Sequence, residues 1–139
     1  MTRLTFLILY LLFASVVWNV SKAFPAEILS DIPENKIIRC LMGEARGEPY
    51  KAIVAHAEAF RNRYARYGRI WGVDGCSFNG KEPSWVWAMV SKAWMESLHT
   101  NLVKGADHWH TDYIKDPYWT KGALMTAYIG KTKFYRGVK

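Results

Sequence analysis

Acidic residues are scarce in this chain: twelve Asp and Glu stand against nineteen Lys and Arg, a net charge of +7 over 139 residues. That surplus favours acidic partners, whether nucleic acid, anionic lipid or an anionic wall polymer. The basic residues are scattered, however, with no arginine-rich run and no motif for reading bases, so no nucleic-acid partner is expected. Cysteine is limited to Cys40 and Cys76, and neither sits in a recognisable nucleophile motif, which argues against thiol catalysis. A helix carrying two histidines around a glutamate is missing, which weakens a metal-dependent peptidase. No internal repeat or low-complexity tract interrupts the chain.

The length suits one domain with a real core. Half of the residues are hydrophobic and 15% are aromatic, including seven Trp and eight Tyr. Rings in that number suit a protein that grips sugar faces, although packing and membrane contact use them too. Arg3 precedes an apolar run from Leu4 to Val20, and Ser21-Lys22-Ala23 places small residues at the −3 and −1 positions for cleavage before Phe24. Residues 1–23 therefore read as an export signal or, uncleaved, as a membrane anchor forming one hydrophobic helix. Either way the domain is expected to work outside the cytoplasm, in the periplasm or cell envelope, secreted or anchored. There Cys40 and Cys76 can form a bridge, and two buried thiols fit the sequence equally well.

Residues 24–35, with Pro25 and Pro33, form a connector, and residues 36–139 form the domain. A first helix is expected from about Pro33-Glu34-Asn35 to Gly47, a second from Tyr50 to Tyr67, and a third from Ser84 to Val103. Gly68 to Pro83, with four glycines, reads as a long loop of the kind often used for function. In the last third, residues 107–113 read as extended, and Met125–Ile129 with Lys133–Tyr135 form a hairpin about Gly130-Lys131. The fold class is thus α+β: helices followed by a small antiparallel sheet.

The chemistry centres on Leu41-Met42-Gly43-Glu44-Ala45-Arg46-Gly47-Glu48-Pro49-Tyr50. At about 100° per residue, Ile37, Leu41, Glu44 and Glu48 share one helical arc. A carboxylate facing an apolar interior loses hydration, which favours the neutral, proton-donating form that a general acid needs. The plainer reading of Glu44 is a hydrogen-bonded core acid or a member of a helix-end salt bridge. His56 is expected to be a packed or solvated side chain rather than a ligand, and His99 to lie on the surface.

Three blocks resemble the SleB-type cell-wall hydrolases, the family of spore-cortex-lytic enzymes and related bacterial and phage proteins. They are Gly43 to Tyr50 followed by Arg61-Asn62-Arg63; Gly105 to Tyr113, with Pro117 and Trp119 downstream; and Ile129-Gly130 leading to Phe134-Tyr135-Arg136. The Cys76-Ser77-Phe78 loop is similar to the family's short aromatic-serine element, and Gly43 replaces a more usual alanine. The ordered set spans residues 36–136. The resemblance implies a lysozyme-like helical domain that cleaves peptidoglycan glycan strands between N-acetylmuramic acid and N-acetylglucosamine. It implies no cofactor and no metal. By motif match Glu44 is the catalytic acid/base, and a lytic transglycosylase and a muramidase both fit.

Two-carboxylate glycosidases set their acids about 5 Å or about 6.5–9.5 Å apart across the bond. Adjacent turns of one helix face do not give that arrangement, so Glu44 is expected to act alone, with Glu48 as a like-charge helper or as part of the helix end. His108 and His110 share a face of an extended segment, and with Asp112 they are alternative metal ligands. The resemblance instead gives the two histidines to the sugar. Tyr113, Trp109, Tyr118 and Trp119 are candidate sugar platforms, with core packing as the plainer role of any one ring, and the resemblance adds Ser77 and Phe78 as cleft contacts. Two other functions remain open at this point: a metal-dependent peptidoglycan amidase or peptidase, and a non-catalytic, membrane-tethered wall-binding module.

Overall fold

The computed structural model describes residues 34–70 and 80–139. The expected leader, nearly all of the connector, Cys76, Ser77 and Phe78 lie outside the described residues. Three helices come first: α1 (Glu34–Ala45), α2 (Tyr50–Tyr67) and α3 (Ser84–Glu96). Strand β1 (His108–Thr111), a 3-10 turn (Tyr118–Thr120), β2 (Leu124–Ile129) and β3 (Thr132–Arg136) follow. The sheet is antiparallel in the order β1-β3-β2. The fold is therefore α+β, with helices preceding a small sheet. Among the described residues no helix is long and apolar enough to cross a membrane.

α2 is the spine. Every residue from Ala52 to Phe60 is buried, as expected of a helix covered on all sides. One face, with Ile53, Val54, Ala57, Phe60 and Tyr64, packs against Ile37, Leu41 and Met42 of α1 and Val86, Val90 and Trp94 of α3. The other face presents Ala55 and Ala59 to Phe134, Val103 and Ala106. Small residues there let the sheet approach closely. Gly68, in the left-handed conformation at φ 69°, ends α2 with its N–H on the Tyr64 carbonyl.

Two helices end earlier than expected. α1 stops at Ala45, before Gly47, because Gly47 and Pro49 disfavour another turn and the residue before a proline is pushed to extended backbone. α3 stops at Glu96, seven residues before Val103. Polar groups of α2 claim the backbone that would have continued it. Arg61 donates to the Trp94 carbonyl (2.7 Å) and the Ser97 hydroxyl (2.8 Å). The buried Glu58 carboxylate accepts the N–H groups of Leu102 and Val103, both at 2.9 Å. Asn62 and Arg63 donate to the carbonyls of Ala106 (2.8 Å) and Asp107 (2.6 Å). Arg61-Asn62-Arg63 is thus a row of three clamps leading the chain from α3 into β1.

The hairpin forms as expected, one residue longer at the start of β2 and one residue longer at each end of β3. Gly130 opens its turn at φ 63°, a conformation that favours glycine. A register shift between Met125 and Ala127 turns Thr126 toward the Val103 carbonyl, to which its hydroxyl donates at 2.6 Å.

Candidate active site

Glu44 lies on the last turn of α1, on the arc occupied one and two turns earlier by the buried Leu41 and Ile37. It is nevertheless exposed, and this corrects the expectation of a carboxylate sunk in an apolar pocket. The arc loses its cover at this turn, so an inward-facing position is left open. Trp109 of β1 reaches it, and its indole Nε1–H donates to Glu44 Oε2 at 3.3 Å.

That indole is held from several sides. The Arg63 guanidinium lies 4.0 Å from its ring centroid, Phe60 packs at 5.3 Å and His56 meets it edge-on at 5.9 Å. Arg63 is itself buried and bonded to the Asp107 carbonyl. Burial pushes its guanidinium down from the ordinary arginine value, while Asp107 and Glu44 act in the opposite direction. His56 is buried, as expected of a packed side chain, and its Nδ1–H donates to the Ala52 carbonyl at 2.8 Å. Burial pushes its imidazole below the ordinary value of 6.5, against a smaller opposing pull from Glu44 and Glu48.

Glu48 is not a second carboxylate on the face of α1. It sits in the turn between α1 and α2, half-buried, and its Oε2 accepts the Lys131 N–H at 3.2 Å. A Cβ at Gly130 would collide with that same oxygen and press on Ala52 Cβ at 3.0 Å. Glu48 therefore docks the hairpin turn onto the helices.

His108 and His110 do share a face, both rings pack on Trp119 at 5.5 and 5.7 Å, and His108 also meets Tyr67 at the end of α2 edge-on at 6.2 Å. Their polar atoms bind protein. His108 Nδ1–H donates to Asp107 Oδ1 at 2.8 Å. His110 is buried and stacked on Tyr135; its Nδ1–H donates to the Thr111 carbonyl. Its Nε2 lies between the Tyr135 hydroxyl (3.2 Å) and the Asp116 carboxylate (3.3 Å). His110, expected as a sugar contact, thus sits in a buried seat against Trp119 and Tyr135. Asp112 does not join them: its carboxylate takes the Tyr128 hydroxyl at 2.5 Å. Among the described residues no three His, Cys, Asp or Glu side chains form a group able to hold a metal. Tyr113 is 77% exposed, and Trp119 is half-buried against the two histidines.

Asp107, fully buried, ties this face to α2. Arg66 Nε lies 2.8 Å from its Oδ2, an ionic contact without the alignment of a hydrogen bond. Cys40, buried one turn before Glu44, is in a disulfide, and the chain's other cysteine is Cys76.

No family model and no curated protein sequence matches the chain. Solved structures do. The catalytic domain of the Bacillus cereus SleB protein superposes with a TM-score of 0.58 at 19% identity, covering 77% of this chain and 97% of that one. The catalytic domain of the germination-specific lytic transglycosylase SleB from Bacillus anthracis gives 0.56 at 22% identity, covering 77% and 98%. The fold is that of the SleB catalytic domain.

Within this SleB-like fold, Arg63 is the neighbour of Glu44 to which the sequence assigns no role, and Trp109, a candidate sugar platform by sequence, is the ring that meets the carboxylate. Arg63 closes the Arg61-Asn62-Arg63 block, and Trp109 stands between two histidines that drew attention as ligands. Strand alternation was the available signal. If His108 and His110 share one face, Trp109 must point to the other, toward the helices.

Proposed function

We propose that this protein cleaves the glycan strands of peptidoglycan between N-acetylmuramic acid and N-acetylglucosamine, with Glu44 as the single general acid/base. The observation that carries the reading is Glu44 itself, on a SleB-like fold: an inward-arc carboxylate left open at a helix end and held by an indole N–H. Among the described residues nothing buries Glu44, so the bound glycan must exclude water and favour the neutral acid. The acid then protonates the glycosidic oxygen as the bond to the muramic C1 breaks, and the electron pair leaves with the departing sugar. The resulting carboxylate takes the proton of the muramic C6 hydroxyl as that oxygen closes on C1, giving a 1,6-anhydro end. A water in place of the hydroxyl would give a reducing end. We favour a lytic transglycosylase because, among the described residues, no second carboxylate is arranged beside Glu44 to activate water: Glu48 is committed to the hairpin. Export to the cell envelope accords with the disulfide at Cys40, since such bonds persist in oxidising compartments. Residues 1–23 would supply the signal or the membrane anchor.

Purified peptidoglycan should be digested by the parent protein and by Glu44→Gln, with and without chelator, and the fragments weighed by mass spectrometry. Anhydro-muramic ends are expected from the parent. A loss of at least about a hundredfold is expected in Glu44→Gln, in the range of general acid catalysis. Parent-like lysis by Glu44→Gln overturns the assignment, reducing ends replace transglycosylation with hydrolysis, and chelator-sensitive release of stem peptides replaces the glycosidase with an amidase or peptidase.

A further inference from the structure

A carboxylic acid has two oxygens and donates its proton from one. We infer that Trp109, locked by Arg63, is a positioning residue that claims one oxygen of Glu44 and leaves the other to carry the reacting proton. The inference rests on the reading of Glu44 as the general acid, and it adds which atom works and what holds it.

The argument begins with hydrogen-bond chemistry. An indole N–H donates and cannot accept. The Glu44 oxygen that receives it, at 3.3 Å, is therefore favoured as the one without the proton, because the unprotonated oxygen of a carboxylic acid is the stronger acceptor. When Glu44 is the neutral acid, this bond biases its proton to the other oxygen. That oxygen passes the proton to the glycosidic oxygen. The charge that then appears on the carboxylate meets a donor already in place, an arrangement whose interaction strengthens along the reaction. In the return step the proton of the sugar hydroxyl comes back to the same oxygen.

The donor does this only if it keeps still. Glu44 is an exposed side chain at a helix end, with three rotatable bonds and no other side-chain hydrogen bond among the described residues. Trp109 is the opposite case. Its strand pairs with β3 opposite Phe134, and its ring is packed by Arg63, Phe60 and His56. Arg63 cannot drift, because its Nε–H is bonded to the Asp107 carbonyl at 2.6 Å. Among the described residues the ionisable groups coupled to Glu44 are Arg63 and the neutral His56, both from α2, and Glu48, in the turn that follows α1, couples to the same His56. Removing the indole N–H leaves all of them unchanged.

The test uses the full chain with Trp109→Phe, which keeps an aromatic ring against Arg63 but has no N–H. A second form carries 3-benzothienylalanine at 109, with sulfur where the indole has N–H, so that packing is kept. Folding is checked by circular dichroism and thermal melting, and kcat and KM are measured on a soluble glycan oligomer across pH. The expected result is a loss of about tenfold to a hundredfold in kcat, the range for a hydrogen bond to a charged group, with KM changed less than about twofold. The alkaline limb of the rate profile should also move to higher pH. Activity requires the protonated acid, and removing a donor to its ionised form disfavours ionisation. Arg63→Lys, which keeps a cation by the ring, should retain more activity than Arg63→Met. A parent-like profile in the benzothienyl form, or slower turnover with the alkaline limb unmoved, overturns the inference. Activity in Glu44→Gln overturns the general-acid assignment and this inference with it. An inactive Glu44→Gln beside parent-like Trp109 variants overturns the inference alone.

Discussion

Glu48 holds Lys131: its carboxylate accepts the Lys131 backbone N–H across the junction between the helices and the hairpin. The hairpin turn is seated on Glu48 and Ala52 so closely that Gly130 has no room for a side chain. Gly130→Ala should therefore destabilise the fold by about 1–3 kcal/mol, since the added methyl meets a carboxylate and the position requires positive φ. Glu48→Gln retains an acceptor oxygen and should keep turnover within about threefold of the parent, while Glu48→Ala should lose about 1 kcal/mol of stability. Thermal unfolding and peptidoglycan turnover check all three. A collapse of activity in a stable Glu48→Gln would return the second carboxylate to the chemistry.

The buried Glu58 carboxylate receives two backbone N–H groups where α3 would otherwise have continued. Glu58→Ala strands both donors in the core, and about 2–5 kcal/mol of stability should be lost. Glu58→Gln can satisfy one of them and turns its amide NH2 toward the other, so it should fall between the parent and the alanine form. Urea unfolding monitored by circular dichroism measures the order.

Local rules made the helix cores, the hairpin and the extended segment legible. The apolar spacing of α2 and the Gly130-Lys131 turn are written in adjacent residues, and the structure places both where periodicity and turn chemistry expect them. The end of α3 was not legible, because it is decided by Glu58 and Arg61, more than thirty residues before the backbone they hold. Glu48 was misplaced for a related reason. A helical wheel assumes that the helix continues, and Gly47-Glu48-Pro49 ends it. The openness of Glu44 depends on where neighbouring elements stop covering its arc, and no residue beside it in the chain records that.

Cys40 is buried among the residues that carry α1 into the core, one turn before Glu44, and its disulfide ties that turn covalently to a distant part of the chain. Reduction should lower stability by about 2–4 kcal/mol, the usual range for closing a loop of tens of residues. Cys40→Ser should do the same or worse, because it adds a hydroxyl to an apolar site. Melting curves with and without reductant measure the loss. An unchanged melting temperature would show that packing alone holds the end of α1.

His56 makes the last prediction, and its sign follows from burial. The folded protein holds this imidazole neutral to a lower pH than the unfolded chain does. Above the ordinary histidine value of 6.5 both states carry it neutral, and its contribution to stability is whole. As the pH falls below 6.5 the unfolded chain takes up a proton that the folded one refuses. Stability then drains away until the folded-state value is passed. His56→Asn can keep a donor toward the Ala52 carbonyl but has nothing to protonate. It should be less stable than the parent near neutral pH, through lost packing against Trp109 and Phe134. That deficit should shrink between about pH 6.5 and pH 5 as the parent loses its advantage. Urea unfolding of both proteins across this interval measures the difference, and a deficit constant with pH would mean that His56 is protonated as readily in the fold as outside it.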